Sequence, residues 1–242
     1  MESSETILHL PNSDRILVIM AKAPRPGTVK TRLARNIPVD AVTELYCCLL
    51  DDTMELAHSL GSVKVGIVCP AADVQELAQL AGRRTDVVAQ QGDGLAAGLT
   101  SVFAHFAGSC RQRVIAFNSD SPHLPVSVLT NAFEILNAHD VVVGPTNDGG
   151  YYLVGAKASH AALFDGDGMG TGNALHALLA RARGLQLSVG FTEPFYDVDV
   201  EGDLTRLAAE LRLAPERAPR TAAWLEQWQQ VVSQLQSRTE DL

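Results

Sequence analysis

Short apolar runs rich in β-branched residues alternate with longer stretches of helical periodicity along the whole chain. Residues 16–20 (ILVIM), 63–69, 113–117, 140–144 and 151–155 read as strands, with a weaker one at 87–90. Their near-continuous hydrophobicity suits a sheet covered on both faces. Between them, 39–60 carries Val42, Leu45, Tyr46, Leu49, Leu50, Met54 and Leu56 at helical spacing, with Pro38 before it and Gly61 after it. Further helices are predicted at 74–80, 95–107, 126–136, 173–183, 201–211 and 220–235. Residues 185–191 read as an edge strand and 196–200 (YDVDV) as an acidic extended piece. This alternation predicts an α/β fold with a mostly parallel sheet. No repeat or linker divides it. We expect a lead-in at 1–14, one domain at 15–236 and a tail at 237–242.

Composition narrows the class. The 242 residues are 46% hydrophobic and 19% charged, which suits a globular core, and the formal net charge is -9. That acidity argues against coating nucleic acid. Cys47, Cys48, Cys69 and Cys110 show no metal-binding or disulfide spacing and read as free thiols. The opening MESSETILHLPNSD lacks the cations of a signal peptide, and no apolar run is long enough to span a bilayer. The expectation is a cytoplasmic protein.

The chemistry concentrates in loops after strands. Residues 22–32 hold Lys22, Arg25, Lys30 and Arg32, four cations in eleven residues. A cationic loop beyond a parallel strand suits an anion, and a nucleotide polyphosphate is the commonest candidate. It is not a P-loop, because Val29 stands where that motif has glycine before Lys-Thr. Asp120 directly follows the strand RVIAF and reads equally as a magnesium ligand or as a turn aspartate. Asp197 and Asp199 share a face by their spacing, so either a cation lies between them or they form an exposed acidic edge. Asp148-Gly149-Gly150 reads as a hairpin turn, and the glycine-rich 165–172 as a substrate loop or a slack connection. No nucleophile motif appears. Of the seven histidines only His123 falls in a candidate site loop. The set favours metal-assisted positioning, as in phosphoryl and nucleotidyl transfer.

Four motifs then carry a resemblance: AKAPRPGTVKTRLA, NSDSPHLP, GPTNDGGYYLVGA and YDVDVEGDL. In this order they resemble a bacterial family of nucleotide-diphospho-sugar transferase-like proteins, often labelled glycosyltransferases. The likeness spans about residues 14–230. GDGLAAGL and DGMGTGNAL are similar to stretches of the related 2-phospholactate guanylyltransferases. The resemblance implies a single GT-A-type domain with a mixed, mostly parallel sheet flanked by helices. It implies that Ala21, Lys22, Arg25, Gly27, Lys30 and Arg32 bind the polyphosphate, with Gln91, Gly92, Gly94 and Leu95 on the rest of the nucleotide. Asp148, Gly149, Gly150, Thr171 and Asn173 would border the acceptor. Asp120, Asp199 and Asp197 would hold Mg2+ (or Mn2+), and Lys30, Arg32 and Asp120 would be catalytic. Glycosyltransferases of this fold commonly carry Asp-x-Asp where this chain has Asn118-Ser119-Asp120. The expected activity is therefore magnesium-dependent nucleotidyl transfer from a nucleoside triphosphate to a phosphorylated acceptor. The alternatives are glycosyl transfer from a nucleotide sugar to a sugar acceptor, and a non-catalytic nucleotide-binding module. A homodimer is left open.

Overall fold

The computed structural model describes residues 14–107, 112–165 and 172–240. Among them, seven strands form one sheet in the order β3-β2-β1-β4-β6-β5-β7. The strands are β1 (Arg15–Met20), β2 (Lys64–Cys69), β3 (Thr85–Ala89), β4 (Arg113–Asn118), β5 (Val141–Pro145), β6 (Tyr151–Ala156) and β7 (Val189–Phe191). β1 pairs in parallel with both β2 and β4, while β6 runs antiparallel to β4 and to β5. The expected mixed, mostly parallel sheet flanked by helices is what forms. β7 does lie at an edge, but only three residues long.

The helices are α1 (Val39–Ser59), α2 (Val74–Ala81), α3 (Gly94–Phe106), α4 (Val126–Ala138), α5 (Ala161–Phe164), α6 (Ala174–Gly184), α7 (Glu201–Leu213) and α8 (Pro219–Glu240). Alternate residues of β1 serve opposite cores, as period two requires. Leu17 and Ile19 join Tyr46, Leu50, Leu129 and Phe133, from α1 and α4. Ile16 and Val18 join Leu99, Phe103, Phe164 and Leu178, from α3, α5 and α6. A third cluster, with Leu45, Leu49, Leu207, Leu211 and Leu225, lays α7 and α8 over the back of α1.

The sequence reading differs in two places. The one-turn helix α5 has too few residues to show a period, and it was not expected. α8 continues to Glu240, through part of the expected tail. Residues 196–200 are extended and join no strand, as expected, with one bridge between Thr146 and Phe195 just before them. Cys110 and the 1–13 lead-in fall outside the described residues; Cys47, Cys48 and Cys69 are free thiols.

The pairing directions place the carboxyl ends of β1, β2, β3, β4, β5 and β7 on one edge of the sheet. The β5–β6 turn lies on that edge too. β1 stands where the order reverses, with β2 on one side and β4 on the other. A crevice at that reversal is the usual ligand site of open α/β sheets.

Candidate active site

A cleft of about 580 Å3 opens at this reversal. It is lined by Ala21, Lys22, Lys30, Arg32, Tyr46, Asp120 and Asp199, among others. The Lys30 ammonium lies 2.7 Å from Asp120 Oδ2 and 3.1 Å from Asp199 Oδ1. Arg32 reaches the other oxygen of Asp199 at 3.1 Å. The Lys30 side chain is only 5% exposed. Burial opposes its charge, but Asp120 and Asp199 outweigh burial and hold its pKa above the ordinary value. Its backbone takes φ 47°, the left-handed region where side chains are uncommon. That conformation opens the short turn in which Leu33 and Ala34 donate to the Lys30 carbonyl.

Asp197 sits behind this pair. Asn118 Nδ2 donates to its Oδ1 at 2.8 Å. Burial, and then the charge of Asp120, push the Asp197 carboxyl up to about 7. An aspartate at 118 would face Asp197 without a proton to offer. Asn118 thus suits its neighbour better than the first acid of Asp-x-Asp would. Asp203 fixes the approach to α7 by accepting from the N–H groups of Asp199 and Val200 at 2.9 and 2.8 Å.

Two carboxylates with hard oxygens, Asp120 and Asp199, fit magnesium. Among the described residues, however, no three His, Cys, Asp or Glu side chains are grouped to hold an ion. Magnesium is commonly bound by one or two carboxylates together with substrate phosphates. The donors therefore fit an ion that arrives with a polyphosphate, and Lys30 must leave the gap between the acids for it to enter.

Other expected residues are placed as follows. Arg25 turns out of the cleft: it bonds Asp73 at 2.6 Å and Glu76 at 3.0 Å, and pins the loop to α2. The Ala23 N–H donates to the other Asp73 oxygen at 3.0 Å. Gly27, at φ 75°, shapes the tip of the loop and does not line the cleft. Gly94 and Leu95 line it, but Gln91 and Gly92 do not; Gln91 N–H is tied to Ser101 Oγ at 2.8 Å. Gln90, one residue earlier, lines the cleft in their place. The Asp148 carboxylate turns back into its own hairpin, accepting from Thr146 and from Gly150 N–H. The Thr146 hydrogen bond holds its pKa low, and the charge of Arg32 adds to this, so the turn borders the same acidic rim. Gly149, at φ 86°, lies so close to the Gly172 carbonyl that no side chain would fit. Asn173 stands at the start of α6. Thr171 and most of the 165–172 loop fall outside the described residues. His123 is not in the cleft but fully buried between Phe195 and Tyr196.

The sequence reading missed Tyr46 and Ser119, both of which line the cleft. Tyr46 sits on the apolar stripe of α1 and was read as core, which its ring is. A larger groove of about 1050 Å3 lies between α7 and α8, and none of the converging acids faces it.

Residues 53–171 match the family model described as an uncharacterized protein conserved in bacteria, DUF2064. No curated protein matches the chain. Among solved structures, the chain is similar to a candidate nucleotide-diphospho-sugar transferase from Desulfovibrio desulfuricans, at 28% identity. That match covers 92% of this chain and 98% of the other, with a TM-score of 0.82. It shares the fold of a nucleotidyl transferase from Methanothermobacter, at 19% identity and TM-score 0.55, covering 82% and 99% of the two chains. A 4-diphosphocytidyl-2C-methyl-D-erythritol synthase from Anaerococcus prevotii shares it at 10% identity and TM-score 0.52, covering 82% and 97%. The middle segment of the chain thus matches the bacterial family DUF2064, and the chain as a whole is similar to the Desulfovibrio protein in both sequence and fold.

Proposed function

We propose that this protein is a magnesium-dependent nucleotidyltransferase. It joins the nucleoside monophosphate of a triphosphate to a phosphorylated small molecule and releases pyrophosphate. The observation that carries this reading is the convergence of Lys30, Arg32, Asp120 and Asp199 in one cleft at the sheet reversal. With the polyphosphate absent, the ammonium and guanidinium neutralise the acids. When the polyphosphate binds, Lys30 and Arg32 transfer to its oxygens, with Lys22 beside them in the cleft wall. A bound magnesium ion supplies charge neutralisation at the phosphates.

An acceptor phosphate oxygen forms the new bond to the α-phosphorus. The bond to the α,β-bridging oxygen breaks, and its electron pair leaves with pyrophosphate. Lys30 and Arg32 stabilise the charge that grows on that leaving group. No protein nucleophile is needed. The turn at Asp148-Gly149-Gly150 and the start of α6 at Asn173 border the acceptor side.

The test is incubation with each of the common triphosphates, magnesium and a panel of phosphorylated acceptors, followed by measurement of pyrophosphate. Release that depends on both metal and acceptor is expected. Failure to bind or consume any triphosphate would falsify the proposal. The Desulfovibrio likeness favours a second reading, glycosyl transfer from a nucleotide sugar. That reaction frees a nucleoside diphosphate and no pyrophosphate, so the same assay separates the two.

A further inference from the structure

α1 carries two polar groups on its core-facing stripe, Tyr46 and Thr53, seven residues apart and so on one face. Both aim at Ser119. Thr53 Oγ1 lies 3.3 Å from the Ser119 carbonyl and 2.7 Å from that of Leu49. The Tyr46 hydroxyl lies 3.2 Å from Ser119 Oγ, which in turn lies 3.2 Å from Asp120 Oδ1. The Lys22 N–H donates to the Tyr46 hydroxyl at 3.1 Å. Tyr46 and Ser119 are each about 4% exposed. The Tyr46 O–H has two acceptors at 3.2 Å, the Lys22 carbonyl and Ser119 Oγ. When it donates to Ser119, the chain runs Lys22 N–H to Tyr46, Tyr46 O–H to Ser119, Ser119 O–H to the carboxylate. Such a chain polarises link by link and ends on the one Asp120 oxygen that Lys30 does not hold.

We propose that the Tyr46–Ser119 hydroxyl pair is a positioning pair, which fixes the Asp120 carboxylate in the orientation that receives the metal and its phosphates. This rests on reading Asp120 as a metal ligand. A buried tyrosine needs a partner in any fold, but not one that passes the bond to a cleft carboxylate. Partners that orient a ligating carboxylate commonly govern metal affinity. The same hydroxyl ties the loop after β1 to the loop after β4, so both sides of the cleft are set from α1.

Inorganic tripolyphosphate tests this without knowledge of the base. Its binding is measured by calorimetry with and without Mn2+ for the wild type, Tyr46→Phe, Ser119→Ala, their double variant and Thr53→Val. Ser119→Ala is expected to weaken Mn2+-dependent binding about tenfold and to leave metal-free binding unchanged. Tyr46→Phe should show the same metal-dependent loss, and the double variant should be no worse than the poorer single one. Thr53→Val should lower the melting temperature and leave the Mn2+ dependence intact. Equal losses with and without Mn2+, additive losses, or the same metal-specific loss in Thr53→Val would overturn the proposal. A crystal structure of Ser119→Ala distinguishes its failure from that of the parent reading. If the wild type shows no Mn2+ dependence, the functional reading falls, whereas an unmoved Asp120 in the variant refutes the positioning pair itself.

Discussion

Asp52 and the cleft acids are both withdrawn from solvent to some degree, yet their surroundings differ in kind. Asp52, in α1, is 1% exposed, and each of its oxygens has a donor. Arg220 N–H lies 3.2 Å from one and Thr221 N–H 2.8 Å from the other, at the start of α8. The Arg220 guanidinium stands 3.7 Å away. A carboxylate at a helix N-terminus, with both oxygens donated to, is complete without a ligand. Asp120, Asp197 and Asp199 instead face one another across one buried ammonium and one exposed guanidinium. Burial and the charge of Asp120 already force Asp197 toward its protonated form. Asp52 builds the fold, whereas on the proposed reading Asp120 and Asp199 hold their charge for a ligand, with Asp197 behind them leaning toward its neutral form.

Substitutions can break that contrast from either side. Lys30→Ala should have the largest effect, lowering turnover by about 10²- to 10³-fold with the fold retained, as steady-state pyrophosphate release would show. Triphosphate affinity should also weaken by about 1 kcal/mol or more, and an unchanged dissociation constant would remove Lys30 from the phosphate site. Asp52→Ala should do the opposite. It leaves the α8 N–H groups unsatisfied, costs about 3 kcal/mol in urea unfolding, and spares turnover per folded molecule.

A smaller effect concerns pH. Burial, and then Arg206 and Arg217, push His123 down to about 3. A histidine with a depressed folded pKa binds fewer protons than it does unfolded. Stability is then full above pH 6.5 and falls as acidity rises toward pH 3. His123→Gln should flatten that part of the acid limb, and an unchanged difference in unfolding free energy between pH 7.5 and pH 5 would contradict it. Arg25→Ala should matter least to the ligand. It frees the loop from Asp73 and Glu76 and lowers the melting temperature slightly, with triphosphate affinity close to the parent's.

The same contrast explains what could be read in advance. The class of fold was legible, because buried parallel strands write themselves as apolar runs such as 16–20 and 113–117. That the Lys30 loop and Asp120 would share one sheet edge followed from loops placed after strands, whereas that Asp199 would join them was implied by the resemblance to the transferase-like family. Whether Arg25 faced inward was not legible, since its partners Asp73 and Glu76 are about fifty residues away, at and just before the start of α2. Neither was the insertion of β6 between β4 and β5, because strand order depends on pairings that no local pattern encodes. Tyr46 was hidden for a different reason. A tyrosine on an apolar stripe looks the same whether its hydroxyl ends in a dry core or at a cleft wall.

The antiparallel entry of β6 has one further consequence. The five-residue connection after Pro145 projects from the working edge of the sheet, on strands already paired along their length. Residues added at the exposed Asn147 would extend over the rim beside Arg32 and leave the central ladder untouched. Each doubling of such a loop costs only about 0.6 kcal/mol of closure entropy. This hairpin is therefore the place where the scaffold can be retuned toward a new co-substrate with the least disturbance to its architecture.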